Sequence, residues 1–223
     1  MKDKSLIRKS IEEIRATLPV GVTLIAVSKY HPAEAIEAAY EAGQRDFGES
    51  KAQDLKVKHE LLPTDIKWHF IGHLQSNKIK YIAPFIHLIH SIDSYRLLEE
   101  VNRHGAKNDR RIPCLLQIHI AQEETKFGLT PEECLEMLAN GNWQQLANVE
   151  IRGLMCMASN TENEEQIAKE FAAVQELFNT IKERHFANDD RFSIISAGMS
   201  DDYPIAIEYG STHIRVGSSI FAE

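Results

Sequence analysis

Short apolar runs alternate with amphipathic stretches along nearly the whole chain. Residues 4–18 place Leu6, Ile7, Ile11, Ile14 and Leu18 on one helical face, which predicts a helix. An apolar run at 22–29 then predicts the first strand. Pro32 opens a helix to Ala42, closed by Gly43. Residues 46–49 form a short strand, 51–62 a helix stopped by Pro63, and 68–72 the third strand. Ser76 is expected to cap a helix to Ile82. Strands follow at 86–92 and 114–120, separated by a helix over 94–104. Thr130, Pro131 and Glu133 carry the signature of a capped helix start. The sixth strand covers 149–157. A long helix over 162–186 lines up Ile167, Phe171, Val174, Leu177, Phe178 and Ile181. A strand at 192–196, a short helix at 201–209 and a last strand at 214–221 complete the pattern.

Eight strands separated by helices, without a hairpin signal, imply a parallel sheet with right-handed crossovers. The expected fold is α/β, a single-domain (β/α)8 TIM barrel over residues 1–223 with an additional N-terminal helix. A doubly wound open sheet is the alternative, and no GxGxxG turn follows the first strand to support it. No helix is expected after the eighth strand, so the N-terminal helix is assigned to that part of the wall.

Composition narrows the class. The chain has 223 residues, 43% hydrophobic and 26% charged, within the range of ordinary globular proteins. No apolar stretch approaches the ~20 residues of a membrane span, and the charged N-terminus does not read as a signal peptide. A net charge of -8 argues against broad nucleic-acid binding. Cys114, Cys134 and Cys156 are odd in number and far apart, as expected for reduced thiols in a cytoplasmic protein. The ten histidines include no HExxH, and no CxxC is present, so no metal site is expected. Most are assigned to surface or capping positions.

The candidate chemistry begins with Lys29, at the end of Leu24-Ile25-Ala26-Val27-Ser28. A primary amine at the tip of a buried strand is expected to be partly desolvated and so a better nucleophile toward carbonyls. A plainly solvated lysine is the alternative. In such barrels the reactive groups sit at the C-terminal ends of the strands, and the loops after strands seven and eight commonly hold a phosphate. Those loops read Ser196-Ala197-Gly198-Met199-Ser200 and Gly217-Ser218-Ser219. Glycine admits backbone amides close to an anion, and hydroxyls add donors. Asp201 and Asp202 oppose a phosphate unless they point away. Arg215 alternates with Ile214 and Val216, so it faces the barrel interior if those two face the helices. There it needs an acceptor: a carboxylate such as Glu49 or Asp93, or a ligand's ring nitrogen or anion. An amine that traps aldehydes, a phosphate cradle and an internal arginine together describe a site for pyridoxal 5'-phosphate (PLP). Lys126-Phe127-Gly128 borders the pocket or forms a solvated loop. Met155 and Met157 are assigned to the core, and Cys156 has no partner base that would make it a nucleophile.

The sequence resembles the PLP homeostasis proteins, the YggS/PROSC family of single-domain relatives of the alanine racemase barrel. The segments that carry the resemblance are Ala26-Val27-Ser28-Lys29, Phe47-Gly48-Glu49, the block WHFIGHLQSNK from Trp68 to Lys78, and Gly153-Leu154-Met155-Cys156-Met157. Near the C-terminus they are Ser196 to Asp201 and Gly210 to Gly217. The resemblance implies a covalent PLP aldimine at Lys29, phosphate contacts at Ser200, Gly217 and Ser218, and Arg215 beside the pyridine ring. Ser50 departs from the family's asparagine, Ala197 from a methionine and Ser218 from a frequent threonine. The chain also ends in Ala222-Glu223, where a glycine is common. The resemblance implies a monomeric, cytoplasmic PLP-binding protein that buffers or delivers the cofactor, without turnover of its own. Its partners would include apo-forms of PLP-dependent enzymes, and neither nucleic acid nor membrane. A PLP-dependent amino-acid racemase is the alternative. Related racemases take a second base, a tyrosine, from a separate β domain, and no such domain is read here. A sugar-phosphate aldolase barrel is a third reading, without an assignable proton shuttle.

Overall fold

The computed structural model describes residues 3–122 and 127–222. Its eight strands are β1 (Thr23–Val27), β2 (Asp46–Glu49), β3 (Lys67–Phe70), β4 (Leu88–Ile92), β5 (Ile112–Ile118), β6 (Val149–Cys156), β7 (Ile194–Ser196) and β8 (His213–Val216). They pair in parallel in chain order and close into a barrel, β8 returning to β1. The helices lie outside: α1 (Lys4–Thr17), α2 (Ala33–Glu41), α3 (Ala52–Leu61), α4 (Ile79–Ile82), α5 (Tyr95–Lys107), α6 (Pro131–Ala139), α7 (Glu164–His185), α8 (Tyr203–Glu208) and α9 (Ser218–Phe221).

The period-two alternation of the strands separates two cores. Leu24 and Ala26 of β1, Phe47 of β2, Trp68 and Phe70 of β3, and Ile214 and Val216 of β8 join the layer between strands and helices. Ile7, Ile11 and Ile14 of α1 belong to the same layer, as do Ile167, Phe171, Val174, Leu177 and Ile181 of α7. Phe178, expected on that buried face, is half-buried and stacks on Phe192 at 4.8 Å. Inside the barrel, Leu88, Leu115, Met155 and Ile194 form a smaller apolar cluster. Polar groups fill the rest of the lumen: His69, His90, Ser196 and Arg215 are all buried.

Local signals explain most boundaries. The Asp3 carboxylate accepts the Ser5 amide and starts α1. Thr130 and Glu133 exchange side-chain-to-backbone hydrogen bonds of 3.2 and 2.8 Å at the start of α6. Ser94 accepts the Leu97 amide at the start of α5. Two expectations fail. Ser76 caps nothing; it is the first residue of a 3-10 turn, Ser76–Lys78, leading into α4. The eighth strand stops at Val216 rather than running to Phe221. The amides of Ile220 and Phe221 turn back to the Gly217 carbonyl at 3.0 and 2.9 Å, forming α9. Both side chains still reach the outer core, so an apolar run that looks extended is buried from a helical turn. A helix therefore does follow β8, and α1 packs between α9 and α2. Among the described residues no helix is long and apolar enough to cross a membrane.

Candidate functional site

A pocket of about 530 Å³ opens at the C-terminal ends of the strands. Lys29, Ser200, Arg215, Gly217 and Ser218 all line it, so the five residues singled out in the sequence converge on one place. A cavity of about 840 Å³ adjoins it and shares Met157, Met199 and Asp201. That larger space contains neither the lysine nor the arginine, and Glu162 and Glu164 on its wall disfavour an anion.

Lys29 does not sit in the strand. β1 ends at Val27, and the next residues form a turn closed by a 3.1 Å hydrogen bond from the His31 amide to the Ser28 carbonyl. Tyr30 adopts φ +68 there, a conformation that non-glycine residues rarely take. The turn carries Lys29 out of the sheet, and its side chain is exposed. The expected partial desolvation is therefore corrected: Lys29 meets solvent at the pocket mouth, with Nζ 5.9 Å from the Tyr30 ring centroid. Beneath it, Ser28 Oγ donates to Glu49 at 2.6 Å. Lys58 donates to both the Ser28 carbonyl and Glu49, at 3.0 and 2.6 Å. Burial pushes the Glu49 carboxyl above its ordinary range, against the pull of Lys58 and Ser28. This buried triad anchors the base of the turn.

The two loops expected to hold an anion meet. Ser200 Oγ and Ser218 Oγ are 2.8 Å apart. Gly198 has φ +91, and a Cβ there would lie 2.7 Å from the Tyr203 Cα, so the loop needs glycine. Asp202 turns away from the cradle and accepts the Met199 amide at 2.5 Å. Asp201 remains on the pocket wall. Across the mouth, a Cβ on Gly72 would come within 2.4 Å of the Ser50 carbonyl. Only glycine allows that approach, which brings Ser50 to the pocket wall.

Arg215 faces inward, as alternation requires. Its Nη1 donates to Ser196 Oγ at 2.7 Å and its Nη2 to the Cys156 carbonyl at 2.8 Å. Neither carboxylate suggested by the sequence pairs with it. Glu49 is held by Lys58, and Asp93 lies 3.4 Å from His73. Among the described residues Arg215 makes no ion pair, and burial lowers its pKa from the ordinary guanidinium value. It lines the pocket as a buried cation whose protein acceptors are a hydroxyl and a carbonyl.

Behind Arg215 runs a chain that the sequence does not announce. His90 Nδ1 is 2.9 Å from Ser196 Oγ, His90 Nε2 is 2.9 Å from His69 Nδ1, and His69 Nε2 is 3.0 Å from Asp46 Oδ1. Burial works to raise the Asp46 carboxyl, but the His69 hydrogen bond and nearby positive charge outweigh it and hold it low. Burial keeps His90 well below the ordinary imidazole range, hence neutral. For neutral rings, the Asp46 carboxylate orders every donor. His69 gives its Nε2 proton to Asp46, His90 its Nε2 proton to His69, and Ser196 its hydroxyl proton to His90. Ser196 is then free to accept from Arg215. These histidines are neither surface nor capping groups, contrary to expectation.

Of the remaining assignments, Met155 is core as expected, whereas Met157 reaches the pocket wall. Phe127 lines the pocket and stacks on His73 at 3.9 Å between centroids. Lys126 lies outside the described residues. Cys156 contributes only its carbonyl, and burial pushes its thiol up to about 12, which leaves no nucleophile there.

Residues 3–223 match the family described as the alanine racemase N-terminal domain. The chain is 38% identical to the pyridoxal phosphate homeostasis protein of Helicobacter pylori strain 26695, over 91% of its own length and 88% of the relative's. It is 36% identical to the protein of that name from Escherichia coli K12, over 91% and 86%. Among solved structures, PipY of Synechococcus elongatus PCC7942 with PLP bound superposes with a TM-score of 0.87 at 36% identity. That match covers 96% of this chain and 99% of PipY. An alanine racemase from Bartonella henselae shares the fold at 15% identity and a TM-score of 0.73, over 98% of this chain and 59% of the racemase.

Proposed function

The chain belongs to the pyridoxal phosphate homeostasis proteins, built on the alanine racemase N-terminal-domain fold, and from that membership we propose that it binds PLP covalently through Lys29 as a cofactor reservoir. The observation that carries this reading is the convergence in one pocket of an exposed primary amine, a buried guanidinium without a carboxylate and two touching hydroxyls. This donor set matches the cofactor group by group. PLP supplies an aldehyde that joins primary amines and a ring that draws electrons from whatever is attached.

Lys29 provides the amine, held clear of the sheet by its turn. The hydroxyls of Ser200 and Ser218, with the backbone at Gly217, bind the phosphate. Arg215 donates to the ring nitrogen through an N–H that Ser196 and the Cys156 carbonyl do not use. A guanidinium keeps its proton, so Arg215 holds that nitrogen in an unprotonated state and the ring remains a weak electron sink. Racemisation also needs an acid-base group facing the lysine across the substrate. His73, the imidazole on the pocket wall, stacks on Phe127 and lies beside Asp93. We therefore assign no turnover to the site. One domain, a cytoplasmic location, a monomeric state and transfer of PLP to apoenzymes belong to the same proposal.

Borohydride reduction of the PLP-loaded protein followed by peptide mass analysis tests the attachment. The pyridoxyl mass is expected on Lys29 and absent in Lys29→Ala. A label on another lysine, or equal labelling of the variant, overturns the assignment. Sustained amino-acid racemisation by the loaded protein would replace the reservoir with an enzyme.

A further inference from the structure

The lumen's second end carries a donor set that the cofactor does not use. Asp46 opens β2, His87 immediately precedes β4, and His69 lies inside β3, so their side chains meet at the N-terminal mouth of the barrel. One ligand atom from each lies within 4.8 Å of the other two. His69 Nε2 and Asp46 Oδ1 are already 3.0 Å apart. Bonds of ~2.0–2.1 Å to a tetrahedral ion place neighbouring ligand atoms roughly 3.3 Å apart, so this pair needs almost no adjustment. His87 is exposed and, among the described residues, its ring makes no hydrogen bond, which lets it swing the remaining distance.

We propose that Asp46, His69 and His87 form a binding site for a divalent transition metal ion of the zinc class, at the mouth opposite the cofactor pocket. Two imidazoles and one carboxylate suit Zn2+, Co2+ or Ni2+. Lys67 and Arg152 put positive charge nearby, which opposes any cation, so selectivity rests on the two imidazoles, which Mg2+, an oxygen-preferring ion, does not favour. The outer partner is built in: the other ring nitrogen of His69 faces His90 Nε2 at 2.9 Å, the arrangement that orients metal-binding imidazoles. The ion takes the place of the proton between His69 Nε2 and Asp46. The His69 proton then resides on Nδ1 and donates to His90 Nε2, and the His90 proton moves to Nδ1, where it donates to Ser196 Oγ.

Titration of the cofactor-free full-length chain with Co2+ tests this. Uptake of one equivalent is expected, with a ligand-field absorption band that Zn2+ abolishes by displacement and Mg2+ leaves intact. His87→Ala and Asp46→Asn are each expected to weaken binding by more than about tenfold, the loss that follows even removal of an outer partner. His104→Ala, remote on α5, serves as the control and leaves binding unchanged. Because His87 is exposed, its variant tests the site without disturbing the fold. Nitrogen-15 spectra of the rings are expected to show His69 moving from the Nε2–H to the Nδ1–H form on loading with Zn2+. No saturable uptake, uptake indifferent to both substitutions, or an unchanged His69 tautomer overturns the proposal. Lys29→Ala should bind the metal as tightly as the native chain, so failure here is distinct from failure of the cofactor reading.

Discussion

In the proposed complex, Arg215 is the residue that sets the electronic state of the bound ring. Replacing it by glutamate exchanges a permanent donor for an acid that shares its proton, so Arg215→Glu is expected to shift the visible band of the loaded protein toward that of a protonated pyridine. An unchanged spectrum would place the arginine away from the ring. Thiols give a second prediction at this scale. Cys114, Cys134 and Cys156 are buried, and burial pushes the last two up to about 12. Native protein is expected to be inert to a disulfide reagent at pH 8, with all three thiols reacting after denaturation. The inward direction of Arg215 was legible because Ile214 and Val216 flank it in a strand. Its dependence on Ser196 and His90 was not, because those two touch across 106 residues of sequence. No local pattern marks such a pair, and isolated histidines read as surface groups.

Among the elements, the turn after β1 departs furthest from its sequence signal. A run of aliphatic residues ending in lysine gives no warning that the sheet stops two residues earlier. The conformation at Tyr30 and the contact between Ser28 and Glu49 decide it. Lys58, on α3, completes that support from another element: its side chain is 13% exposed and that of Glu49 2%. Removing one member of a buried pair strands the other's charge, so Lys58→Ala is expected to lower stability by about 3 kcal/mol in urea unfolding. Loss of less than about 1 kcal/mol would mean that water relieves Glu49. Thr130→Ala, by contrast, removes an exposed cap and should cost about 1 kcal/mol. That cap was fully legible, because a capping box is written in four consecutive residues. The end of β8 was not, because Ile220 and Phe221 satisfy a buried position equally well from a strand or a helical turn.

At the scale of the molecule, the alternation of apolar and amphipathic segments announced the barrel directly, since eight repeats of one unit leave little choice of closure. What it concealed is the polar lumen. The chain from Arg215 to Asp46 spans the barrel with every link buried or nearly so, and it fixes the arginine from behind. His90→Phe cuts it and leaves Ser196 and His69 without a shared partner. We expect about 1–3 kcal/mol weaker PLP binding, measured by spectroscopic titration, together with a lower melting temperature. A variant that melts earlier yet binds PLP as well as the native chain would show that the chain serves stability alone.

The pairing of β8 with β1 has a consequence for how the protein matures. Ile25 lies level with Arg215, and the turn bearing Lys29 leaves one strand while Gly217 and Ser218 leave the other. The amine and the anion cradle thus come from opposite extremes of the barrel and become neighbours only when its final seam zips shut. If PLP joins Lys29 as proposed, colour acquisition during refolding is a clock for ring closure, and a newly made polypeptide is expected to stay colourless until its last strand has docked.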